Sequence, residues 1–349
     1  MTEHSSSESR PCYRPLSWHE PAWQGLMARR DAGRLPHAIL LSGPAGVGKA
    51  HFARALAQSR LCQQVLANGS ACGECNACRQ FMAGSHPDWR QIGIDPKRKN
   101  ILIDQVRALS EWMSLTASGG RGKLAMIDPA ERMSNGAANS LLKTLEEPAG
   151  DSILLLVSSL PGRLSATVRS RCQQLALSMP ARDVARAWLA EQSSASGELE
   201  TALDLAGGAP FRALNLVEAG VLERARENAD ALIAIGNGRA SIVSTAEAWA
   251  RQDLVWLLDW WRVWLQAFLR LAQAGQSGAP GLIDGERADL QKILQGIDCS
   301  EAHRLLLAIQ EGERRVDSAN AQLLLESLLG HWARACGVIG QSGRVREVV

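Results

Sequence analysis

Residues 40–50 read Leu-Leu-Ser-Gly-Pro-Ala-Gly-Val-Gly-Lys-Ala. The apolar start predicts a buried strand, and the glycines predict a turn into a helix. Gly43, Gly48 and Lys49 match the spacing of a phosphate-binding loop, with Gly46 inside it. In such loops the backbone N–H groups, a helix N-terminus and the lysine charge converge on phosphate oxygens. The stretch therefore predicts an α/β domain with a phosphate site.

Two side chains of a hydrolytic site are missing. Ala50 stands where the loop pattern has Ser or Thr, the hydroxyl that normally holds Mg²⁺ on the phosphates. Asp128 ends a predicted strand, at the edge where α/β sheets bind ligands, and is the expected carboxylate on the Mg²⁺ side. Pro129 then occupies the place of the carboxylate that would orient water, and Glu131 is expected to face elsewhere. The loop is therefore predicted to accept ATP or ADP without requiring either, and to be poorly equipped for hydrolysis.

Four of the eight cysteines form a cluster, which consists of Cys62, Cys72, Cys75 and Cys78. Four thiolates complete the tetrahedral ligand set of a structural Zn²⁺. An iron–sulfur cluster is the alternative, although Met82 stands where the ferredoxin pattern continues with Cys. Either role is structural, because four thiolates leave no ligand position open.

Composition narrows the class of protein. The 349 residues predict two or three domains, and 46% hydrophobic residues provide for real cores. A net charge of +2 is too small to mark a DNA-coating protein. No apolar run reaches membrane-spanning length, and the polar N-terminus lacks a signal core. These features predict a cytoplasmic protein without a membrane partner.

The remaining pattern changes character near Pro180. Before it, apolar runs predict further strands at 38–41, 89–94, 153–157 and 173–177, the last at an edge of the sheet. Ser158 is a candidate for sensing a γ-phosphate. After Pro180 the chain reads as helical, with tryptophans at 256, 260 and 264. Their spacing of four residues favours packing between helices over stacking on nucleic-acid bases.

Several motifs in a fixed order carry a family resemblance. They are Arg-Leu-Pro-His-Ala at 34–38, the phosphate loop, the four cysteines, His-Pro-Asp at 86–88, Ile-Asp-Gln-Val-Arg at 103–107, Ser-Leu-Leu-Lys-Thr-Leu-Glu-Glu-Pro at 140–148 and Ser-Arg-Cys at 170–172. Over residues 13–215 the chain resembles the delta-prime family of bacterial DNA polymerase III clamp-loader subunits, within the AAA+ superfamily. The related gamma/tau ATPases carry Gly-Lys-Thr or Gly-Lys-Ser and an Asp-Glu pair, where this chain has Ala50 and Pro129.

The resemblance implies a domain order. A lead-in at 1–12 precedes an AAA+ α/β domain at 13–178, with a zinc module inserted at about 62–80. A helical lid at 179–220, a helical collar at 221–340 that serves oligomerisation, and a tail at 341–349 follow. The implied fold class is thus α/β followed by all-α.

The resemblance also implies roles. Arg171 corresponds to the arginine finger that contacts ATP bound by a neighbouring gamma/tau subunit, and Arg212 matches the second sensor arginine. The implied partners are gamma/tau and delta subunits in a hetero-pentamer, the sliding clamp and primer–template DNA. The chain would then be non-catalytic by itself, within a DNA-directed DNA polymerase (nucleotidyltransferase) holoenzyme. Two alternatives are a gamma/tau-like ATPase and a free-standing zinc- and DNA-binding protein; the low net charge speaks against the latter.

Overall fold

A computed structural model of the chain describes residues 12–95, 98–193, 199–274, 288–316 and 320–338. The predicted tail lies outside these residues, as does the predicted lead-in except for Cys12. Two compact units divide the chain between Pro180 and Ala181.

The first unit is built on a parallel sheet. Its strands within the described residues are β1 (Ala38–Ser42), β2 (Trp89–Ile92), β3 (Leu124–Ile127), β4 (Ile153–Ser158) and β5 (Gln173–Ala176). They pair in the order β2-β3-β4-β1-β5, every pair parallel. This confirms the predicted α/β sheet, and β5 lies at its edge.

Helices cover both faces of this sheet. They are α1 (Glu20–Asp31), α2 (Lys49–Leu61), α3 (Asn76–Met82), α4 (Ile103–Ser114), α5 (Asn135–Glu146) and α6 (Ala166–Ser170). Successive strand side chains point to opposite faces, so the apolar strands are buried on both. Ile39 and Leu41 pack in one core cluster with α1 and α2, whereas Leu40 packs in the other with α4, α5 and α6.

Two helix boundaries near the cysteines differ from expectation. The helical face shared by Phe52, Leu56, Ser59 and Gln63 predicts a helix that continues to about Leu66, but α2 ends at Leu61. Cys62 leaves it with extended backbone, φ −60° and ψ 134°, and its sulfur joins the other three cysteines. The short helix α3 was not predicted; it begins after Cys75, whose sulfur accepts a hydrogen bond from the backbone N–H of Cys78.

The second unit is helical throughout its described residues. Its helices are α7 (Arg182–Gln192), α8 (Leu199–Leu205), α9 (Pro210–Glu218), α10 (Leu222–Gly236), α11 (Ile242–Trp249), α12 (Leu254–Ala274), α13 (Ala288–Gly296), α14 (Cys299–Arg315) and α15 (Ala321–Ala335). Trp260 and Trp264 are buried in its core. This agrees with the expected packing between helices. The division into a lid and a collar near residue 220 stays a prediction.

Candidate functional site

The carboxyl ends of three central strands form the candidate phosphate site. Ser42 of β1 pairs with Ser158 of β4, and β3 lies on the other side of β4. The loop after β1 and Asp128 after β3 therefore stand at the same edge of the sheet. In parallel α/β sheets this edge is where ligands bind.

Glycine is required at two positions of the loop by geometry. Gly43 has φ 143°, and a Cβ there would meet the carbonyl oxygen of Leu177 at 2.2 Å. Gly48 has φ 91° and caps the N-terminus of α2 in the left-handed region. Since side chains disfavour both conformations, these glycines let the loop turn tightly into the helix. Gly46, at φ 80°, lies between them.

Lys49 is held inside the loop that it follows. Its Nζ donates to the carbonyl oxygens of Gly43 at 2.8 Å and Pro44 at 2.6 Å, and to Ser159 Oγ at 2.9 Å. Burial lowers the pKa of its ammonium group to about 8, against the opposing charges of Glu131 and Asp128. The ammonium group of Lys49, which would bind a phosphate, is therefore already hydrogen-bonded to oxygens of the chain itself.

Glu131 corrects the sequence interpretation of this edge. It was expected to face away, yet its Oε1 accepts a hydrogen bond from the backbone N–H of Ser159 at 3.0 Å. Ser158, a candidate for sensing a γ-phosphate, uses its Oγ to accept from the backbone N–H of Leu160 at 3.2 Å, and its role as a sensor stays a prediction. The residue that reaches Lys49 is Ser159, the next one along. The sequence spacing predicts a serine at the end of the strand. It does not predict in which direction the side chains point where the chain leaves the strand.

Asp128 is also part of this edge. Burial raises the pKa of its carboxyl group above the ordinary value, although the charge of Arg54 opposes the shift. Pro129 follows Asp128 directly, so Glu131 is the next carboxylate in the chain, and it is hydrogen-bonded to Ser159 as described above. The site therefore contains two carboxylates, Asp128 and Glu131, but they are not adjacent in the sequence and so do not form an Asp-Glu pair.

The sequence predicts one helix at 16–34 with Trp18 as a packing residue, and this N-terminal segment also holds the phosphate loop. The carbonyl oxygen of Val47 accepts hydrogen bonds from Trp18 Nε1 at 3.0 Å and from His19 Nε2 at 2.9 Å. His19 is fully buried, and burial lowers its pKa to about 4, although its bond to Val47 opposes the shift. His19 is therefore neutral near pH 7. In the sequence, only the adjacency of Trp18 and His19 points to this contact.

The four cysteines converge as the sequence predicted. Their sulfur atoms all lie within 4.8 Å of one another. The sulfur–sulfur distances are 3.6 Å for Cys62–Cys72 and 3.9 Å for both Cys62–Cys75 and Cys72–Cys78. A tetrahedron with metal–sulfur bonds of ~2.3 Å has edges of about 3.8 Å. The donor set therefore fits a single tetrahedral metal ion with no open position.

Backbone N–H groups surround these sulfurs. Cys62 Sγ accepts from Gln64 N at 3.4 Å and Cys72 N at 3.3 Å, and Cys72 Sγ accepts from Glu74 N at 3.4 Å and Cys75 N at 3.3 Å. Such donors stabilise thiolates and orient metal ligands. The turns between the cysteines thus supply the ligand environment as well as the ligands.

A buried aspartate holds the loop next to this cluster. Asp88 accepts hydrogen bonds from Ser118 N at 2.9 Å and Gly119 N at 2.7 Å, and pairs with Lys123 at 3.4 Å. Burial alone would raise its pKa, but these donors hold the pKa below its ordinary value. From the same loop Arg121 Nη1 donates to the carbonyl oxygen of Cys62 at 2.8 Å. The His-Pro-Asp motif therefore anchors a loop that contacts the cysteine cluster.

Arg171 lies at the C-terminal end of α6. Its Nε donates to Glu146 Oε1 at 2.9 Å, and its Nη1 donates to the carbonyl oxygen of Thr167 at 3.1 Å. The side chain remains 36% exposed. Its side chain therefore lies partly exposed at the surface of the first unit, with its guanidinium group held by Glu146 and Thr167.

Arg212 belongs to the second unit, on α9. It forms an ion pair with Asp259 at 2.7 Å. Burial lowers the pKa of its guanidinium group, and the charge of Asp259 opposes this shift. A contact between Arg212 and a nucleotide would join the two units and stays a prediction.

Known proteins resemble this chain along most of its length. The sequence model of the family described as "DNA polymerase III, delta subunit" matches residues 18–181. The DNA polymerase III subunit delta' of Pseudomonas aeruginosa is 36% identical over 92% of this chain and 98% of its own length. The chain belongs to the DNA polymerase III delta-prime family. The delta-prime subunit of Escherichia coli is 31% identical over 89% of this chain and 93% of its own length.

The tau subunit of Escherichia coli DNA polymerase III matches a shorter part. It is 36% identical over 42% of this chain and 22% of the tau chain. Tau therefore shares a local stretch, whereas the delta-prime subunits of Pseudomonas aeruginosa and Escherichia coli align along nearly their whole length. Among the helices of the described residues, none combines the length and apolar character needed to cross a bilayer.

Proposed function

We propose that this delta-prime family member works in a clamp loader that places the sliding clamp on primed DNA. In this role its own nucleotide site is degenerate, and Arg171 acts as an arginine finger for an ATP site of a neighbouring gamma/tau subunit. The partners are gamma/tau and delta subunits in a hetero-pentamer, the clamp and primer–template DNA. The family membership and the surface position of Arg171 support this proposal.

The degenerate site rests on two separate replacements. Ala50 removes the hydroxyl that would hold Mg²⁺, and Pro129 removes the carboxylate that would orient water. In addition, Lys49 is occupied by Gly43, Pro44 and Ser159. A nucleotide would have to replace these contacts before it gained the lysine charge.

The finger role rests on charge and access. A guanidinium group placed where phosphoryl charge develops can raise the rate of phosphoryl transfer by about 10³-fold or more. Arg171 is partly exposed on the first unit, at the end of a short helix. A neighbouring subunit can therefore reach it. The four cysteines, in turn, would hold a structural Zn²⁺ that stabilises the fold and takes no part in this chemistry.

The decisive experiment is ATP turnover by a reconstituted loader, with clamp and primed DNA present. We expect Arg171→Ala to lower turnover at least several-fold while the pentamer still assembles. Arg163→Ala serves as the control, because Arg163 is an exposed arginine of the same region. Unchanged turnover with Arg171→Ala would overturn the finger role.

A gamma/tau-like ATPase is the second candidate. The local identity with tau and the intact loop glycines with Lys49 favour it. ATP turnover by the isolated chain, compared with Lys49→Ala, separates the two functions. Turnover that depends on Lys49 would support the second candidate, and absence of such turnover supports the first.

A further inference from the structure

Arg171 is tied to a carboxylate of its own chain. Its Nε lies 2.9 Å and its Nη2 2.7 Å from the same atom, Glu146 Oε1. Its Nη1 donates to the carbonyl oxygen of Thr167 at 3.1 Å. All three guanidinium nitrogens therefore have a partner, and the plane of the group is set by contacts on two of its sides.

These contacts leave two N–H donors of the guanidinium group available. The group carries five N–H donors, and the contacts above use three of them. One N–H remains on Nη1 and one on Nη2. Because Glu146 Oε1 lies on the edge formed by Nε and Nη2, the second N–H of Nη2 points away from it and can donate to a phosphate oxygen. Glu146 thus occupies one edge of the group without using every donor of Nη2.

The backbones on both sides of this contact are fixed. Glu146 is the last residue of α5, whose final turn is held by His37 Nε2 donating to the carbonyl oxygen of Leu145 at 3.0 Å. The carbonyl oxygen of Val168 accepts a hydrogen bond from the backbone N–H of Arg171. Val168 itself is fully buried in the same core cluster as Leu145. Glu146 and Arg171 are therefore presented to each other from one rigid core.

The contact is too exposed to serve folding. The side chains of Arg171 and Glu146 are 36% and 51% exposed, and ion pairs of this kind contribute little to stability. Orientation is a different matter, because a free arginine side chain loses much rotamer freedom when it is fixed. A guanidinium group already held in place loses less of that freedom when it meets the phosphate. Exposure also means that solvent screens the carboxylate charge, so Glu146 weakens the field of Arg171 only slightly.

We propose that Glu146 is a positioning residue, which orients Arg171 for its contact with the ATP of the neighbouring subunit. This rests on the proposed function of Arg171 as a finger. Both contacts go to a single oxygen, so the geometry of Glu146, more than its charge, carries the effect. Glutamine, which keeps an acceptor oxygen at the same place, can replace it.

The test uses the reconstituted loader with clamp and primed DNA, and measures kcat and KM for ATP. We expect Glu146→Ala to lower kcat by about 3- to 10-fold with KM within about twofold, since a guanidinium effect of 10³ leaves room for a partial loss. Glu146→Gln should retain most of kcat. Glu147→Ala is the matched control, because Glu147 is the neighbouring exposed glutamate at the same helix end.

A double variant ties the effect to the finger. In the background of Arg171→Ala, Glu146→Ala should change kcat no further. An unchanged or raised kcat with Glu146→Ala alone would overturn the positioning role, while a loss with Arg171→Ala would still leave the finger standing. If Arg171→Ala itself has no effect, the finger role fails and the positioning role fails with it.

Discussion

His19 shows at the scale of one residue how burial sets a charge state. Its ring is fully buried against the phosphate loop. Its hydrogen bond to the carbonyl oxygen of Val47 needs a proton on Nε2, which the neutral ring can supply. Burial lowers its pKa to about 4, below the ordinary histidine value of 6.5. Between these two values the unfolded chain binds the proton and the folded chain does not. Folding is therefore opposed as the pH falls through this window.

We expect this residue to make the first unit sensitive to acid. Between pH 7 and pH 5 the linkage predicts a loss of about 2 kcal/mol from His19 in the free energy of unfolding. Burial also lowers the pKa values of His51 and His86, so they act in the same direction. His19→Gln should therefore reduce the pH dependence without removing it.

Hydrogen exchange of the β1 amides at pH 5 and pH 7, corrected for intrinsic rates, measures this difference. The comparison is between the slopes of the two proteins, so a general loss of stability in the variant does not affect it. Equal slopes for the wild type and His19→Gln would contradict the assignment.

At this scale the motif residues were predictable and their partners were not. The loop glycines, Lys49 and the four cysteines could be identified as motif residues because their spacing along the sequence is local. Glu131 and Ser159 were missed because their hydrogen bond links residues 28 positions apart. Their approach depends on how β3 and β4 align, and no spacing rule expresses that.

The tryptophans show what elements contribute in the second unit. Trp332 of α15 donates from Nε1 to the carbonyl oxygen of Leu232 in α10 at 2.7 Å. Trp264 of α12 is just as buried, but within the described residues its Nε1 has no hydrogen-bond partner. The rings of Trp264 and Trp332 meet edge to face, 5.5 Å apart. One tryptophan thus adds a directional bond to its packing, and the other packs only.

These two positions form a matched pair of substitutions. Both Trp332→Phe and Trp264→Phe remove a similar volume from the core. We expect Trp332→Phe to lower the free energy of unfolding of the second unit by roughly 1 kcal/mol more, because it also removes a buried hydrogen bond. Urea unfolding followed by helical circular dichroism measures both variants. Equal losses would show that the bond to Leu232 adds no net stability.

Helix periodicity predicted these elements more reliably than their ends. The spacing of four residues placed Trp260 and Trp264 in a helical core, since local spacing alone decides which face a residue occupies. The end of α2 was wrong because Cys62 is taken up by the cysteine cluster. Convergence with the other three sulfurs overrides helical propensity at that position.

For the whole molecule, two units with separate cores suggest that removal of a metal ion changes the stability of one unit and not of the other. The cysteine cluster belongs to the first unit, and Arg121 links it to the loop held by Asp88. Because metal binding at a closed thiolate site contributes to folding, removing the ion should destabilise that unit. The second unit keeps its own buried tryptophan core.

Calorimetry of the full chain with and without a strong chelator tests this expectation. We expect the transition of the first unit to move down by several degrees and that of the second to stay in place. Metal analysis should give one zinc per chain, and Cys75→Ser should lose it. Cys12→Ser is the control, because Cys12 packs beside the cluster without being among the four converging sulfurs. Absence of zinc from the purified protein, or an equal shift of both transitions, would contradict the assignment.

The sequence by itself determines the features that depend on local spacing: the phosphate loop, its lost hydroxyl at Ala50, the cluster of four cysteines and the helical second half. Only the tertiary structure decides that Glu131 turns towards Ser159, that Trp18 and His19 hold Val47, and that Glu146 holds Arg171. The physical reason is separation along the chain. Strand order and helix docking set these distances, and both arise from the packing of the whole sheet and its cores.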